Sequence, residues 1–186
     1  MENALEILRT MLGRRGLDTK TERIVTDDLD KANIYTIGKV LIVFSQKDKM
    51  LERDITGFMA FANANEYTTG VILVALSPPS ENVLKTVKGL AKDRVQLFHI
   101  RQLQFDITTH RMAMPHRVLN EDERNAMFKQ YNVVKPEEQL PWIDSQDTMI
   151  KWIGAVPGDI IEVTRHSDVA GRQLYYRYVV ADVNVA

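Results

Sequence analysis

Leu5, Leu8, Met11 and Leu12 recur at helical spacing near the start of the chain, which predicts an amphipathic helix. Gly13 and Gly16 offer natural stops for it. The stretch from Leu17 to Lys39 is polar, with an acidic group at Asp27, Asp28 and Asp30, and reads as loop with one short strand. Val40 to Phe44 is a continuous apolar run of the kind found in strands covered on both faces. Leu51, Ile55, Phe58, Met59 and Ala62 then return to helical spacing, ending near Asn65. A second buried strand is predicted over Val71 to Leu76. After the turn Ser77-Pro78-Pro79-Ser80, Ser80 is placed to cap a helix from Glu81 to Ala91. Val95 to Ile100 is the third strand candidate. Alternating strands and helices with short connections predict a small α/β sandwich, three layers deep, up to about Ile107.

The pattern changes after a linker from Thr108 to Met114. Asn120 and Glu123 form a capping-box pair ahead of Ala126, Met127 and Phe128, in a helix ending at Tyr131. Pro136 and Pro141 bracket a short element. Ser145 is the expected cap of a helix carrying Met149, Ile150, Trp152 and Ile153, with Gly154 at its carboxy end. Pro157-Gly158-Asp159 is turn chemistry. Ile160 to Thr164 and Leu174 to Val180 are then joined through Ser167 to Gly171 as a terminal β-hairpin. The first region is thus α/β and the whole chain α+β, with a division expected at residues 1–110 and 111–186.

Charge and composition narrow the function. With 24 basic and 25 acidic residues, and 45% hydrophobic residues, the chain suits a folded globular protein. Up to His110 there are 15 basic and 14 acidic residues, and beyond it 9 and 11. Neither part has the basic excess of a free-standing DNA binder. The opening segment lacks the pattern of a secretory signal. No apolar run approaches the roughly 20 residues needed to span a bilayer, so an intracellular protein with no membrane partner is expected.

Catalytic chemistry has little to build on. Cysteine is absent, which excludes thiolate catalysis, thiolate metal sites and disulfides. No Walker loop, G-x-G-x-x-G or G-x-S-x-G motif occurs. His99, His110, His116 and His166 form no closely spaced ligand pair. A metal-dependent nuclease would need carboxylates and an acid-x-lysine triplet on adjacent strands. The one such triplet, Asp18-Thr19-Lys20, lies ahead of the expected strands. The acidic group at Asp27 reads as a solvated turn, and the scattered methionines as core filling. Trp142 and Trp152 suit either an interface anchor or core packing. No cofactor is expected, and no catalytic or metal-binding residue is assigned.

The ordered elements MPHRVLNEDER, KQYNV, EEQLPWIDSQD and KWIGAVPGDIIEVTRHSDVAGRQLYYRYV, spanning Pro115 to Tyr178, resemble the assembly domain of the fifth common subunit of eukaryotic RNA polymerases I, II and III. The same domain is similar to the archaeal RNA polymerase counterpart, which lacks the eukaryotic jaw altogether. His116, Leu140, Pro141, Ile143 and Asp147 match in order, followed by Gly154 and Gly158. Arg165, Ser167, Gly171, Arg172, Tyr176 and Arg177 complete the set. The resemblance implies that these positions serve the subunit interface. Upstream it thins, and only Pro79 and Ser80 match the turn that the family's jaw domain presents towards downstream DNA. Trp142 stands in place of a basic residue, Thr148 in place of a proline, and Ala155-Val156-Pro157 in place of a basic loop. Glu81 adds a negative charge beside the jaw turn.

The resemblance therefore implies a jaw domain over 1–110 and an assembly domain over 111–186. It implies a non-catalytic subunit of a multisubunit DNA-dependent RNA polymerase, docked on the largest subunit beside other small subunits, with weak contact to downstream DNA. Docking is expected through the hairpin, on a face bearing Arg172, Tyr176 and Arg177. A short jaw fits the polymerase of a large DNA virus or of a divergent eukaryote. The expected location is accordingly the nucleus of a cellular eukaryote, or a virion or host-cell transcription site. The rival readings are a free-standing interaction module and the nuclease.

Overall fold

The computed structural model describes residues 1–25, 32–67, 69–167 and 171–184, so the acidic group at Asp27, Asp28 and Asp30 lies outside the described residues. It divides the chain into two compact units, Met1–Asp106 and Ile107–Ala186. The whole is α+β, with an α/β core in the first unit.

The first unit opens with helix α1 (Glu2–Arg14), which buries Ala4, Leu8, Met11 and Leu12. A five-stranded sheet follows in the order β1-β2-β3-β4-β5. Its strands are β1 (Thr21–Ile24), β2 (Ala32–Ile37), β3 (Val40–Ser45), β4 (Gly70–Ala75) and β5 (Val95–His99). Helices α2 (Glu52–Ala64) and α3 (Glu81–Gly89) make the parallel crossovers β3-α2-β4 and β4-α3-β5. Ile55, Phe58, Ala62, Val83 and Val87 pack on Leu41, Val43, Leu73 and Leu97, filling one face. The alternate strand residues Ile42, Ile72 and Phe98 are also fully buried. Arg15, just past α1, donates to Gln96 Oε1 of β5 at 2.8 Å, which ties the helix end to that second face. Burial and the nearby Arg94 push the Arg15 guanidinium down to about 10.

Leu17 to Lys39 holds two strands where one was expected. Antiparallel pairing of β1 to β2 and β2 to β3 extends the parallel core. Only Ile34 and Ile37 of β2 are fully enclosed apolar residues, so the apolar signal there is weak.

In the second unit the expected hairpin is part of a four-stranded sheet, ordered β6-β8-β9-β7. The strands are β6 (His116–Val118), β7 (Trp142–Asp144), β8 (Ile160–Ser167) and β9 (Gly171–Val180). Helix α4 (Glu121–Tyr131) starts on the complete Asn120–Glu123 capping box. Two short helices follow, α5 (Pro136–Gln139) and α6 (Thr148–Ile153). One apolar cluster joins Ile143, Ile150, Ala155, Ile161, Val163 and Val179. Another joins Leu119, Met127 and Ile160, with Leu140, Tyr176 and Tyr178 packed against it.

The cap of α6 is Asp147, not Ser145. The Asp147 carboxylate accepts from the Met149 N–H at 2.9 Å. Ser145 is buried and donates instead to the Ala181 carbonyl at 2.9 Å. Asp147 stands directly before the first helical residue, where its oxygen reaches the free amides of the first turn.

Candidate subunit interface

Strand alternation divides the hairpin residues between two faces. In the β8-β9 register, Ile161 pairs with Arg177, Val163 with Tyr175 and Arg165 with Gln173. These share the face of Val179 and Ile143. The opposite face carries Glu162 beside Tyr176, Thr164 beside Leu174, and His166 beside Arg172. Arg172 and Tyr176 therefore lie on one face and Arg177 on the other, so the three do not form the single face expected. Their numbering sets this, because odd and even positions of a strand point to opposite sides.

On the Arg177 side, the Arg165 guanidinium lies 5.9 Å from the centroid of the exposed Tyr175 ring. Tyr175 donates through its hydroxyl to Gln173 Oε1 at 2.8 Å. Arg177 donates to the Trp142 carbonyl at 3.1 Å. Trp142 is itself half-buried and held through its indole N–H to the Glu137 carbonyl at 2.6 Å. It stabilises the α5–β7 connection from inside the unit. Trp152 is buried.

On the Tyr176 side, buried Glu162 accepts from Arg117 Nε at 2.7 Å, and more weakly from the Tyr176 hydroxyl at 3.4 Å. Arg117 also pairs with Glu123 at 2.7 Å, so one guanidinium connects β6, β8 and the α4 cap. The hydrogen bonds to Glu162 and Glu123 raise the Arg117 pKa. The Asn120 amide, and then Arg117, hold the Glu123 carboxyl below the usual range. Burial pushes the Tyr176 phenol up, with Glu162 adding to it. Tyr131 sits beside it, ring centroids 5.8 Å apart. Nothing in the sequence marks the Arg117–Glu162 pair, since its partners are 45 residues apart.

The other matched positions separate by burial. Ile143 lies in the core and Leu140 packs at its edge. Asp147 caps α6, and Gly154 closes it at φ +75°. Gly158, at φ +104°, forms the turn into β8. These five are explained within the unit. Pro141 is exposed, and its carbonyl accepts from the Tyr178 N–H at 3.0 Å. His116 is half-buried and donates from Nδ1 to the Met114 carbonyl at 2.7 Å. Ser167 and Gly171 face each other at the far end of the hairpin.

Lys151 does not stand out in the sequence, yet it is 3% exposed on α6. Burial lowers its ammonium to about 8, with Asp147 and Asp144 acting against that shift.

In the first unit, Ser80 caps α3 by accepting from the Val83 N–H at 3.5 Å, and Pro79 is half-buried. The turn follows the carboxy end of β4. Asp18, Lys20 and Glu22 line a cleft of about 460 Å³ with Thr36, Lys39 and Thr69. Asp18 accepts from the Lys20 amide, and Lys20 pairs with Glu22 at 2.7 Å. Among the described residues no three His, Asp or Glu side chains are grouped to hold a metal ion, and no helix is long and apolar enough to cross a membrane.

Residues 105–179 match the family model described as RNA polymerase Rpb5, C-terminal domain. Subunit Rpo5 of DNA-directed RNA polymerase from Pyrococcus horikoshii is 43% identical over 79 residues, which covers 42% of this chain and 94% of that protein. The match to subunit 5A of RNA polymerase V from Arabidopsis thaliana is longer, at 27% identity over 95% of this chain and 76% of the relative. A third relative, subunit 5B of RNA polymerases IV and V from the same plant, is 31% identical over 62% of this chain and 52% of its own length. Matched along nearly the whole of an archaeal relative, on the same hairpin, caps and turns that organise the second unit, the chain belongs to the Rpb5 family of DNA-directed RNA polymerase subunits.

Proposed function

We propose that this chain is a non-catalytic structural subunit of a multisubunit RNA polymerase, docked on the largest subunit through residues 111–186. One observation carries the reading: a 79-residue stretch of the chain covers 94% of an archaeal polymerase subunit, and residues 105–179 match the Rpb5 C-terminal domain. A domain that constitutes a whole subunit elsewhere has assembly as its own task. Exposed Arg165, Arg172 and Arg177, with Tyr175 and partly exposed Tyr176, supply the residue types that dominate interface energetics. Pro141, just ahead of β7, and His116 on β6 extend this surface. Residues 1–110 act as a jaw, with the turn at Pro79 and Ser80 facing downstream duplex. Glu81 opposes phosphate there, so the contact is weak and depends on the assembled complex. Neighbouring small subunits complete the partner set, and the location follows the polymerase: a nucleus, or a virion or host-cell transcription site.

Affinity purification of the tagged chain from its native source tests this reading. Recovery of the largest polymerase subunit is the expected result, and recovery of the chain without it sinks the proposal.

A further inference from the structure

Beyond β6 and β7, strands β8 and β9 continue as a two-stranded ribbon. β6 pairs with β8 only up to Val163, and β7 pairs with β9 only from Tyr178 onwards. The outer edge of β9 from Gly171 to Arg177 therefore has no neighbouring strand among the described residues. The direction of its backbone groups follows from two bonds. Tyr178 N–H reaches outward to the Pro141 carbonyl, while Val179 N–H points to the β8 side, to Asp159. By the two-residue period, the N–H and C=O groups of Arg172, Leu174 and Tyr176 all point outward. Such an edge is a template for another strand.

The side chains flanking it are cationic and aromatic. Arg165, Tyr175 and Arg177 stand on one side, with His166, Arg172 and partly exposed Leu174 on the other. In the sequence from Val163 to Ala181 the single acidic residue is Asp168. We infer that the outer edge of β9 accepts an extended acidic segment of a partner polypeptide as an added strand, with the backbone of Arg172, Leu174 and Tyr176 continuing the ladder and Arg165, Arg172 and Arg177 pairing with its carboxylates. The inference rests on the docking reading above and gives it a mode. Nucleic acid is a poorer fit, because the edge alternates donors with carbonyls, and carbonyls repel phosphate. A strand answers both groups at every second residue.

The full chain, labelled for residue-resolved amide exchange, is mixed with a blocked peptide of about eight residues alternating glutamate with threonine or valine. A lysine-substituted peptide and single-stranded oligothymidine serve as comparisons. The glutamate peptide should slow exchange at Arg172, Leu174 and Tyr176 by about tenfold or more, leaving the β8-bonded amides of Gln173 and Tyr175 unchanged. Leu174→Pro removes an outward N–H without breaking a bond to β8, and should abolish that protection. Exchange at Ile161 and Val163 in the same variant reports whether the ribbon is still paired. Arg172→Glu with Arg177→Glu should abolish peptide protection by charge alone. Protection by oligothymidine instead, by the lysine peptide equally, or by none of the three overturns strand addition.

The same amides are then followed in the purified polymerase. Capture of the largest subunit without their protection overturns strand addition and leaves docking standing. Peptide protection without capture supports the edge and overturns docking.

Discussion

The two units reach stable folds by different means. In the first, β3 and β4 are buried along their whole lengths, and α2 and α3 cover one face with Ile55, Phe58, Val83 and Val87. Many apolar residues of suitable size would satisfy such a layer. In the second, the strands are short or half-exposed, and single atoms decide the arrangement: the Asn120 and Asp147 caps, the positive φ of Gly154 and Gly158, and Arg117 on Glu162. Polar geometry and turn conformation tolerate fewer substitutions than apolar volume. Identity is consequently easier to read in the second unit, although the first has the larger core.

Substitutions can break or sharpen this contrast. The largest effect is expected from Phe98→Ala in the first unit, since the side chain is fully buried and such truncations cost about 3–5 kcal/mol. Denaturant unfolding followed by amide exchange in β4 and β5 would measure it. A loss below about 1 kcal/mol would mean that the layer can collapse around the gap. Arg117→Ala should come next, at about 1–3 kcal/mol, because it leaves the buried Glu162 carboxylate largely unanswered. It should also make the acid limb of stability less steep, since Arg117 adds to the Asn120 amide in lowering the Glu123 carboxyl. The Glu123 carboxyl is held below its ordinary range in the folded state. Its contribution is therefore present above the unfolded carboxyl pKa and is lost as pH falls through the depressed one. A pH titration of unfolding in both proteins tests this.

Cap removal is smaller. Asp147→Ala should cost about 1 kcal/mol, whereas Ser145→Ala should leave exchange in the first turn of α6 unchanged. Lys151 supplies a further pH effect of the same sense, in the alkaline range. Its folded pKa is lowered from 10.5 to about 8, so between those values the unfolded chain binds the extra proton and stability rises with pH. Lys151→Met should remove that rise in unfolding measurements from neutral to alkaline pH. The smallest effect on folding should follow Arg172→Glu with Arg177→Glu, within about 0.5 kcal/mol by thermal unfolding. The same pair should block incorporation into polymerase. Unchanged incorporation would count against the interface proposed for these residues.

These differences also explain what the chain discloses before its structure. The VLIVF and VILVAL runs reveal β3 and β4 through continuous burial, and Asn120 with Glu123 announces α4 through local hydrogen bonds. β6 and β7, three residues each, carry no period long enough to detect, and exist through pairing with β8 and β9. β2 is hidden by its mixed exposure. The cap of α6 is misread from sequence because Ser145 and Asp147 are both competent caps and only spatial neighbours separate them. For the residues proposed to serve an interface, residue types are legible from resemblance, while their faces require the register: Arg177 lies opposite Arg172 and Tyr176. The Arg117–Glu162 pair has no local signal at all.

The placement of β7 bears on the order in which the two units are made. The first sheet is ordered as its strands occur along the chain, so each new strand can join the one before it as it emerges from the ribosome. β7 cannot do so. It must wait for residues 178–180 of β9 to arrive, and Ser145 waits for Val180 and Ala181, so the preceding short helices stay without their floor until then. A nascent chain halted before Tyr178 should thus carry a settled first sheet beside a second unit still exposing Ile143 and Ile150 to chaperones.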